Sequence, residues 1–272
     1  MTTPPQQQAG PGGQVAPPER PTKGAPPRPP AVRDHSVARP GLSQIDVPQP
    51  AGGSVLLGFA APWRPVHTRL FRGETTRVAV VGGTYVAGLI AFRSLAIGAL
   101  THVATPRPRA WRQLTGPACA GRVAVAQVGA KPQVRASMRW PALVINDTGP
   151  DPGDPSPSGP AWQTTMTLLP TLTEGGAAAL YQADVVVLHR CTADEAQIAC
   201  DTLGLDRKHV SWLGSGPEDG LALVSGGAVT YVCLGVTRDE YNLFGAPVRQ
   251  DRTAPGTGGG TGLTGPLQAV QR

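Results

Sequence analysis

The chain has 272 residues, a formal net charge of +6 and only 5% aromatic residues. Arginine supplies nearly all of the positive charge, and the only lysines are Lys23, Lys131 and Lys208. Because the basic residues form no long run, a biased composition explains the charge better than a nucleic-acid or lipid partner does. The N-terminus is polar and rich in proline, so we also expect no signal peptide.

The 30 prolines and 35 glycines are concentrated towards the two ends of the chain. Residues 1–53 hold almost no apolar clusters, so they cannot offset a backbone entropy cost of about 1–2 kcal/mol per residue. We predict a disordered Pro/Gly-rich arm at 1–53, a single domain with a real core at 54–250, and a disordered Gly-rich tail at 251–272. The PPERP and PPRPP segments of the arm fit either a flexible linker or a ligand of an aromatic groove.

The first elements of the domain centre on a buried strand and the helix that follows it. The apolar run at 54–59 predicts a strand, and a turn at Gly73 precedes the next one. Residues 77–81 are rich in valine and indicate a strand that is buried on both faces. Apolar residues at helical spacing predict a helix over 85–97, and residues 100–104 begin another buried strand. Together these form a β-α-β unit with a right-handed crossover.

The rest of the domain alternates strands and helices. Two prolines in 106–114 predict a loop that Trp111 anchors. Thr192 and Glu195 form a capping box, which begins a helix that ends at Gly204. The other predicted elements are strands at 121–128, 140–147, 162–169 and 184–188, a short helix after Thr173, a hairpin of 220–224 with 228–234, and a helical turn or two within 237–244. This order predicts a three-layer α/β domain with a mostly parallel sheet and a C-terminal β-hairpin.

Gly82, Gly83 and Thr84 interrupt the chain between the buried strand and its helix. In nucleotide-binding α/β proteins phosphates bind at this turn, because the free backbone amides and the helix dipole favour an anion. Gly82, Gly83 and Gly88 could cradle a phosphate in this way. Glycine also permits a tight turn and close packing of helix on strand, and we favour this second explanation.

Four segments resemble the FtsK–HerA superfamily of P-loop ATPases, which includes DNA translocases, conjugation coupling ATPases and type VII secretion ATPases. They are VLLGFAAPWRPVHTRLFRGETTRVAVVGGT, PALVIND, ADVVVLHRCTADEAQIACDTLGL and DGLALVSGGAVTYVCL. The resemblance covers residues 54–245 and implies a RecA-like P-loop sheet. It also implies a phosphate loop at 82–90 and an acidic second motif at the end of PALVIND.

The chain departs from this family at the residues that carry the chemistry. A phosphate loop reads G-x-x-x-x-G-K-[ST], but Leu89 and Ile90 stand at the lysine and hydroxyl positions that follow Gly83 and Gly88. In the second motif, Asn146 occupies the position of the metal-binding aspartate. We therefore predict a vestigial nucleotide site at the residues Gly82, Gly83, Thr84 and Gly88, and a degenerate second motif at Asn146 and Asp147. No catalytic residue, metal or cofactor is expected.

Other kinds of site find little support. The four cysteines never form a C-x-x-C pair, so buried reduced thiols are expected in place of a zinc site. His102 lies within an apolar strand and His189 at the end of another. A dinucleotide site would need the G-x-G-x-x-G pattern, which is absent.

These observations lead to one main hypothesis and two alternatives. The main hypothesis is a non-catalytic pseudo-ATPase that acts as a scaffold or accessory component of a secretion- or conjugation-type machine. Its partners would be proteins, among them an active secretion ATPase, and it would be cytoplasmic and peripheral at the inner face of the membrane. The alternatives are a Rossmann-like nucleotide-binding enzyme and a membrane-anchored accessory protein that spans the membrane through 78–100.

Overall fold

A computed structural model describes residues 52–119, 121–153 and 159–249. The strands of this part are β1 (Ser54–Ala60), β2 (Arg64–Arg69), β3 (Thr76–Val81), β4 (Leu100–Ala104), β5 (Val123–Ala126), β6 (Ala142–Asn146), β7 (Gln163–Leu169), β8 (Val185–His189), β9 (Gly220–Ser225) and β10 (Ala228–Cys233). The α-helices are α1 (Thr84–Ala96), α2 (Ala177–Tyr181), α3 (Ala193–Leu203), α4 (Lys208–Ser215) and α5 (Arg238–Phe244). The predictions for the arm before Gly52 and for the tail at 251–272 lie outside the described residues.

The strands form one sheet in the order β2-β1-β10-β9-β8-β3-β7-β6-β4-β5. The six strands from β8 to β5 run parallel to one another, whereas the strands from β2 to β9 pair antiparallel. Strand β9 also pairs antiparallel with β8, so the hairpin of β9 and β10 extends the parallel part. This confirms the predicted fold class, an α/β domain with a mostly parallel sheet and a C-terminal hairpin.

Two apolar cores lie on opposite faces of the sheet, because successive side chains of a strand point to opposite sides. On β3, Val78 and Val80 belong to the core beneath α1 and α5. Ala79 and Val81 belong to the core beneath α2, α3 and α4. Burial on both faces explains why this strand reads as a continuous apolar run.

The strands on either side of α1 are not neighbours in the sheet. Strands β7 and β6 lie between β3 and β4. A Rossmann sheet places its first two strands side by side, so this strand order does not support the Rossmann-like alternative.

The segment 78–100 is a strand, a 13-residue helix and the start of another strand. A helix that spans a bilayer needs about 20 residues, so α1 is too short for the membrane-anchored alternative with its span at 78–100. Among the described residues, none of the helices combines the length and the apolar character required to cross a membrane.

The structure also differs from the sequence analysis at the loop predicted for 106–114 and at a helix that was not predicted. Residues Pro108–Thr115 form a 3-10 helix, because proline is well tolerated in a first helical turn, where its missing N–H is not needed. Trp111 is buried there, as expected.

Helix α4 was not predicted, since Leu213 is its only fully buried residue and its apolar pattern is short. The capping box at Thr192 and Glu195 is confirmed, and α3 ends at Gly204 in the left-handed conformation.

Candidate functional site

The turn that would bind phosphate consists of two glycines. Strand β3 ends at Val81, and α1 begins at Thr84 with Gly83 as its N-cap. The Gly82 amide donates a hydrogen bond to the Leu169 carbonyl at 3.1 Å. Both glycines have positive φ, 122° for Gly82 and 95° for Gly83. The chain therefore passes from strand to helix without a wide loop between them.

Gly82 lies directly against the end of the neighbouring strand β8. A Cβ atom at Gly82 would lie 2.5 Å from the His189 carbonyl oxygen and 2.8 Å from the His189 Cβ. Close packing of β3 on β8 therefore requires glycine here, in addition to its positive φ. His189 itself is fully buried, and its Nε2 lies 2.8 Å from the Glu218 carbonyl oxygen. Burial lowers the pKa of His189, so the ring is neutral at pH 7.

The remaining residues of the expected phosphate loop lie inside α1. Gly88 is in the middle of the helix, and a Cβ atom there would lie 3.2 Å from the Phe244 ring. Its function is therefore close packing of α1 on α5. Leu89 and Ile90 are buried in the core on the same face of the sheet. Thr84 is also buried, at the first position of the helix.

The two residues of the degenerate second motif lie in different surroundings. Asn146 is the last residue of β6 and lines a cavity on the face of the sheet opposite α1. Asp147 is fully buried and contacts residues that follow β4. Because Asn146 lines the cavity and Asp147 is buried against the residues after β4, the two side chains do not form one acidic site.

Hydrogen bonds satisfy the Asp147 carboxylate on both oxygens. Arg107 binds it in a bidentate fashion, with Nη2 2.9 Å from Oδ1 and Nε 3.1 Å from Oδ2. Thr105 Oγ1 donates to Oδ2 at 2.8 Å, and Trp111 Nε1 donates to Oδ2 at 2.9 Å. This network joins the end of β6, the end of β4 and the 3-10 helix. It gives the carboxylate a structural role that the sequence did not reveal.

Two buried ion pairs were also missed in the sequence. Arg93 of α1 binds Glu240 of α5, with Nε 2.6 Å from Oε1 and Nη2 2.9 Å from Oε2. Arg93 also donates to the carbonyls of Leu57 on β1 and Leu234 after β10, at 2.8 and 3.0 Å. Burial alone would raise the pKa of Glu240, but hydrogen bonds from Arg93 and Thr237 lower it overall.

The second pair joins Arg249 and Glu195 at the start of α3, with Nη1 2.7 Å from Oε2 and Nη2 2.7 Å from Oε1. Glu195 also completes the capping box with Thr192 and accepts from the Leu172 amide at 3.0 Å. A second capping box, of Thr237 and Glu240, begins α5. The T-x-x-E pattern at 237–240 is the sequence signal that would have located this helix start.

The described residues contain no group of three or more histidine, cysteine, aspartate or glutamate side chains that could hold a metal ion. Cys119, Cys191 and Cys200 are buried free thiols, and Cys233 is a half-buried one. The site thus consists of a tight strand-to-helix turn and the Asp147 carboxylate, whose two oxygens are both hydrogen-bonded within the protein. Among the described residues these features do not form a recognisable set of catalytic groups.

No protein-family model and no curated protein matches the chain. Several solved structures do match, with low sequence identity. The conjugation coupling protein TcpA of pCW3, in a monomer form with ATPγS, is 9% identical with a TM-score of 0.47, over 68% of this chain and 66% of that one. ATPases 2 and 3 of EccC from Thermomonospora curvata, in complex with a signal sequence peptide, are 9% identical with a TM-score of 0.42, over 67% and 40%. The cytoplasmic domain of the same organism's type VII secretion ATPase EccC is 13% identical with a TM-score of 0.45, over 79% and 33%.

The chain thus spans at most 66% of the length of these structures. They are a conjugation coupling protein and a type VII secretion ATPase, which are the kinds of protein that the four sequence segments resemble.

Proposed function

We propose that the chain is a non-catalytic component of a secretion- or conjugation-type machine. It would use a RecA-like domain as a scaffold and dock on an active ATPase at the cytoplasmic face of the membrane. The observation that carries this proposal is the two-residue turn between β3 and α1, which has no lysine and no room for a phosphate loop.

The turn supports the absence of catalysis for a geometric reason. A triphosphate is held by a wide loop of backbone amides, a lysine and a hydroxyl that binds Mg²⁺. Here Gly82 packs against the His189 carbonyl, and the residues that follow the turn enter α1 directly. Leu89 and Ile90, at the lysine and hydroxyl positions, are buried in apolar packing.

The second motif supports the same proposal. Phosphoryl transfer depends on a metal ion and on positioned charges that stabilise the transition state. The Asp147 carboxylate is occupied by Arg107 and Trp111, and Asn146 offers a neutral amide in place of a carboxylate. A hard divalent cation prefers charged oxygen ligands, so this pair is a poor metal site.

The edge strand β2 offers a surface for the protein partner. Trp63, in the turn between β1 and β2, is 80% exposed and packs edge-on against Phe59. Tryptophan is enriched at the energetic centres of protein interfaces, and an unpaired strand edge can receive another chain. We propose that the active ATPase docks here.

Catalysis is tested with the purified full chain in the presence of Mg²⁺ and ATP. We expect no phosphate release above the rate of the buffer, at protein concentrations at which an active motor gives a clear signal. Asp147→Asn provides a control, because it should lower thermal stability and leave the phosphate signal at background. Clear Mg²⁺-dependent turnover by the wild-type chain would refute the proposal.

Docking is tested by purification of the tagged full chain from its own cells. We expect an ATPase with an intact G-x-x-x-x-G-K-[ST] loop among the retained proteins, and a loss of this ATPase with Trp63→Ala. Tyr181→Ala is the matched control, because Tyr181 is equally exposed at 79% but lies on α2. Equal loss with both variants, or no motor ATPase with wild type, would contradict the docking site.

A further inference from the structure

A cavity of about 600 Å³ lies on the face of the sheet opposite α1. Strands β4, β6 and β7 form its floor, and the segment 128–134 forms one wall. Its uncharged polar lining residues are His102, Asn146, Thr148, Gln163, Thr165 and Thr167. This volume lies within the usual range of small-molecule sites.

The floor of the cavity is polar where the neighbouring part of the same face is apolar. On the helix-covered part, the inward side chains of β3 and β8 include Val81, Val186 and Leu188. On the cavity part, the residues of β4 and β7 on the same face of the sheet include His102 and Thr165. Polar groups at buried positions are costly unless they have hydrogen-bond partners. Thr165 already accepts a hydrogen bond from the Gln163 amide at 3.4 Å, whereas the ring nitrogens of His102 have no well-formed one, and a ligand in the cavity would supply partners to His102.

His102 is the strongest single indication of a ligand. Its side chain lines the cavity at 2% exposure, and neither ring nitrogen has a well-formed hydrogen bond, although the Ala130 carbonyl lies near the ring. Burial lowers the pKa of His102, so the ring is neutral and offers one donor and one acceptor. The Thr148 hydroxyl is another buried group without a partner. Both groups are adjacent to space that a polar molecule would fill.

The charges around the cavity indicate the sign of the ligand. Among the lining residues that the structure describes, Lys131 is the only one with a formal charge at pH 7, and none is a carboxylate. Lys131 is exposed at the wall of the cavity, where it would meet an anionic group without a large desolvation cost. A single cation suits a ligand with one anionic group.

The uncharged groups indicate the rest of the ligand. Asn146 and Gln163 carry amides, which pair a donor with an acceptor as the edge of a nucleobase does. The hydroxyls of Thr165 and Thr167 suit a sugar, and Val128, Val134 and Val144 give apolar surface for the faces of a base. We propose that this cavity binds a nucleoside monophosphate. The site is distinct from the turn at Gly82 and Gly83, which lies at the end of β3.

The test is isothermal titration calorimetry of the full chain with AMP, GMP, CMP and UMP, and with adenosine and inorganic phosphate. We expect at least one monophosphate to bind. Thr165→Val should weaken it about tenfold, because one buried hydrogen bond is lost. Lys131→Ala should weaken the monophosphate about tenfold and leave binding of the matching nucleoside unchanged.

Thr101→Val is the matched control, because Thr101 lies beside His102 on β4 but faces α1, and its hydroxyl has no hydrogen-bond partner. It should bind the monophosphate as wild type does. Absence of binding by all four monophosphates overturns the proposal. Equal affinity in wild type and Thr165→Val also overturns it, since the ligand would then lie elsewhere, and binding of inorganic phosphate alone would exclude the nucleoside.

Discussion

The face of the sheet opposite α1 is built in two different ways. Beneath α2, α3 and α4, strands β3, β8 and β9 present aliphatic side chains, and the helices exclude water from them. Over β4, β6 and most of β7 the strands present histidine, amide and hydroxyl groups to a cavity, which α2 borders through Ala179. Strands β8, β3, β7, β6 and β4 pair in parallel across the boundary between the two parts, and β9 joins β8 antiparallel.

The difference shows that the pairing of the strands does not determine which side chains they place on a face of the sheet. Hydrogen bonds along the strands fix the sheet, whereas the inward side chains match whatever covers them. A half that is covered by helices is stabilised by apolar burial at about 25 cal/mol per Å². The polar half buries less apolar surface, so we expect it to contribute less to stability.

The largest expected loss of stability comes from a substitution in the helix-covered half. Arg249→Met leaves the buried Glu195 carboxylate without its charged partner, which should lower the free energy of unfolding by about 3–5 kcal/mol. Urea titration followed by circular dichroism measures this. The double variant with Glu195→Gln should recover part of the loss, because glutamine retains the capping box and carries no charge. Equal loss in the single and double variants would contradict this account.

A reciprocal exchange of isosteric residues compares the two halves directly. Val186→Thr places a hydroxyl in the apolar core beneath the helices and should cost about 1–3 kcal/mol. Thr167→Val removes a hydroxyl from the cavity and should change the free energy of unfolding by less than about 0.5 kcal/mol. Urea midpoints of both variants test the prediction. Similar losses in both would show that the cavity half is packed as tightly as the covered half.

The smallest expected effect concerns the response of the cavity half to acid. The folded-state pKa of His102 is lower than its ordinary value because burial disfavours the charged ring. Below about pH 6.5 the unfolded chain therefore takes up a proton that the folded chain resists. The free energy of unfolding consequently decreases as the pH is lowered. Between pH 7.5 and 5.5, His102→Gln should lose less stability than wild type, as measured by urea midpoints. The pKa of His189 is also lowered, and His189 is present in both wild type and His102→Gln. An identical loss of stability in the two proteins would therefore show that His102 does not cause the acid response.

Much of the fold was predictable because its signals are local. The valine run of β3, the capping box at Thr192 and the double glycine of the C-terminal hairpin each specify an element without reference to distant residues. Strand order was not predictable in this way. It depends on which strands meet across the sheet, and two later strands enter between β3 and β4.

The candidate site was predicted in part. The loss of lysine and hydroxyl is visible in the sequence, but the role of Asp147 depends on Arg107 and Trp111, which lie about 40 residues earlier. The cavity was invisible for a related reason. His102, Asn146 and Thr165 come from three separate strands, β4, β6 and β7, and nothing in their spacing shows that they share one floor.

The contacts of Arg93 have a consequence for synthesis of the chain. Its guanidinium group reaches carbonyls on β1 and after β10 and the carboxylate of α5, so a helix made early depends on residues made about 150 positions later. While the ribosome is still adding β9 and β10, this cation has neither Glu240 nor the Leu234 carbonyl. We therefore expect the domain to close late in synthesis, and a nascent chain that stops before Thr237 to expose the underside of α1 to chaperones and proteases.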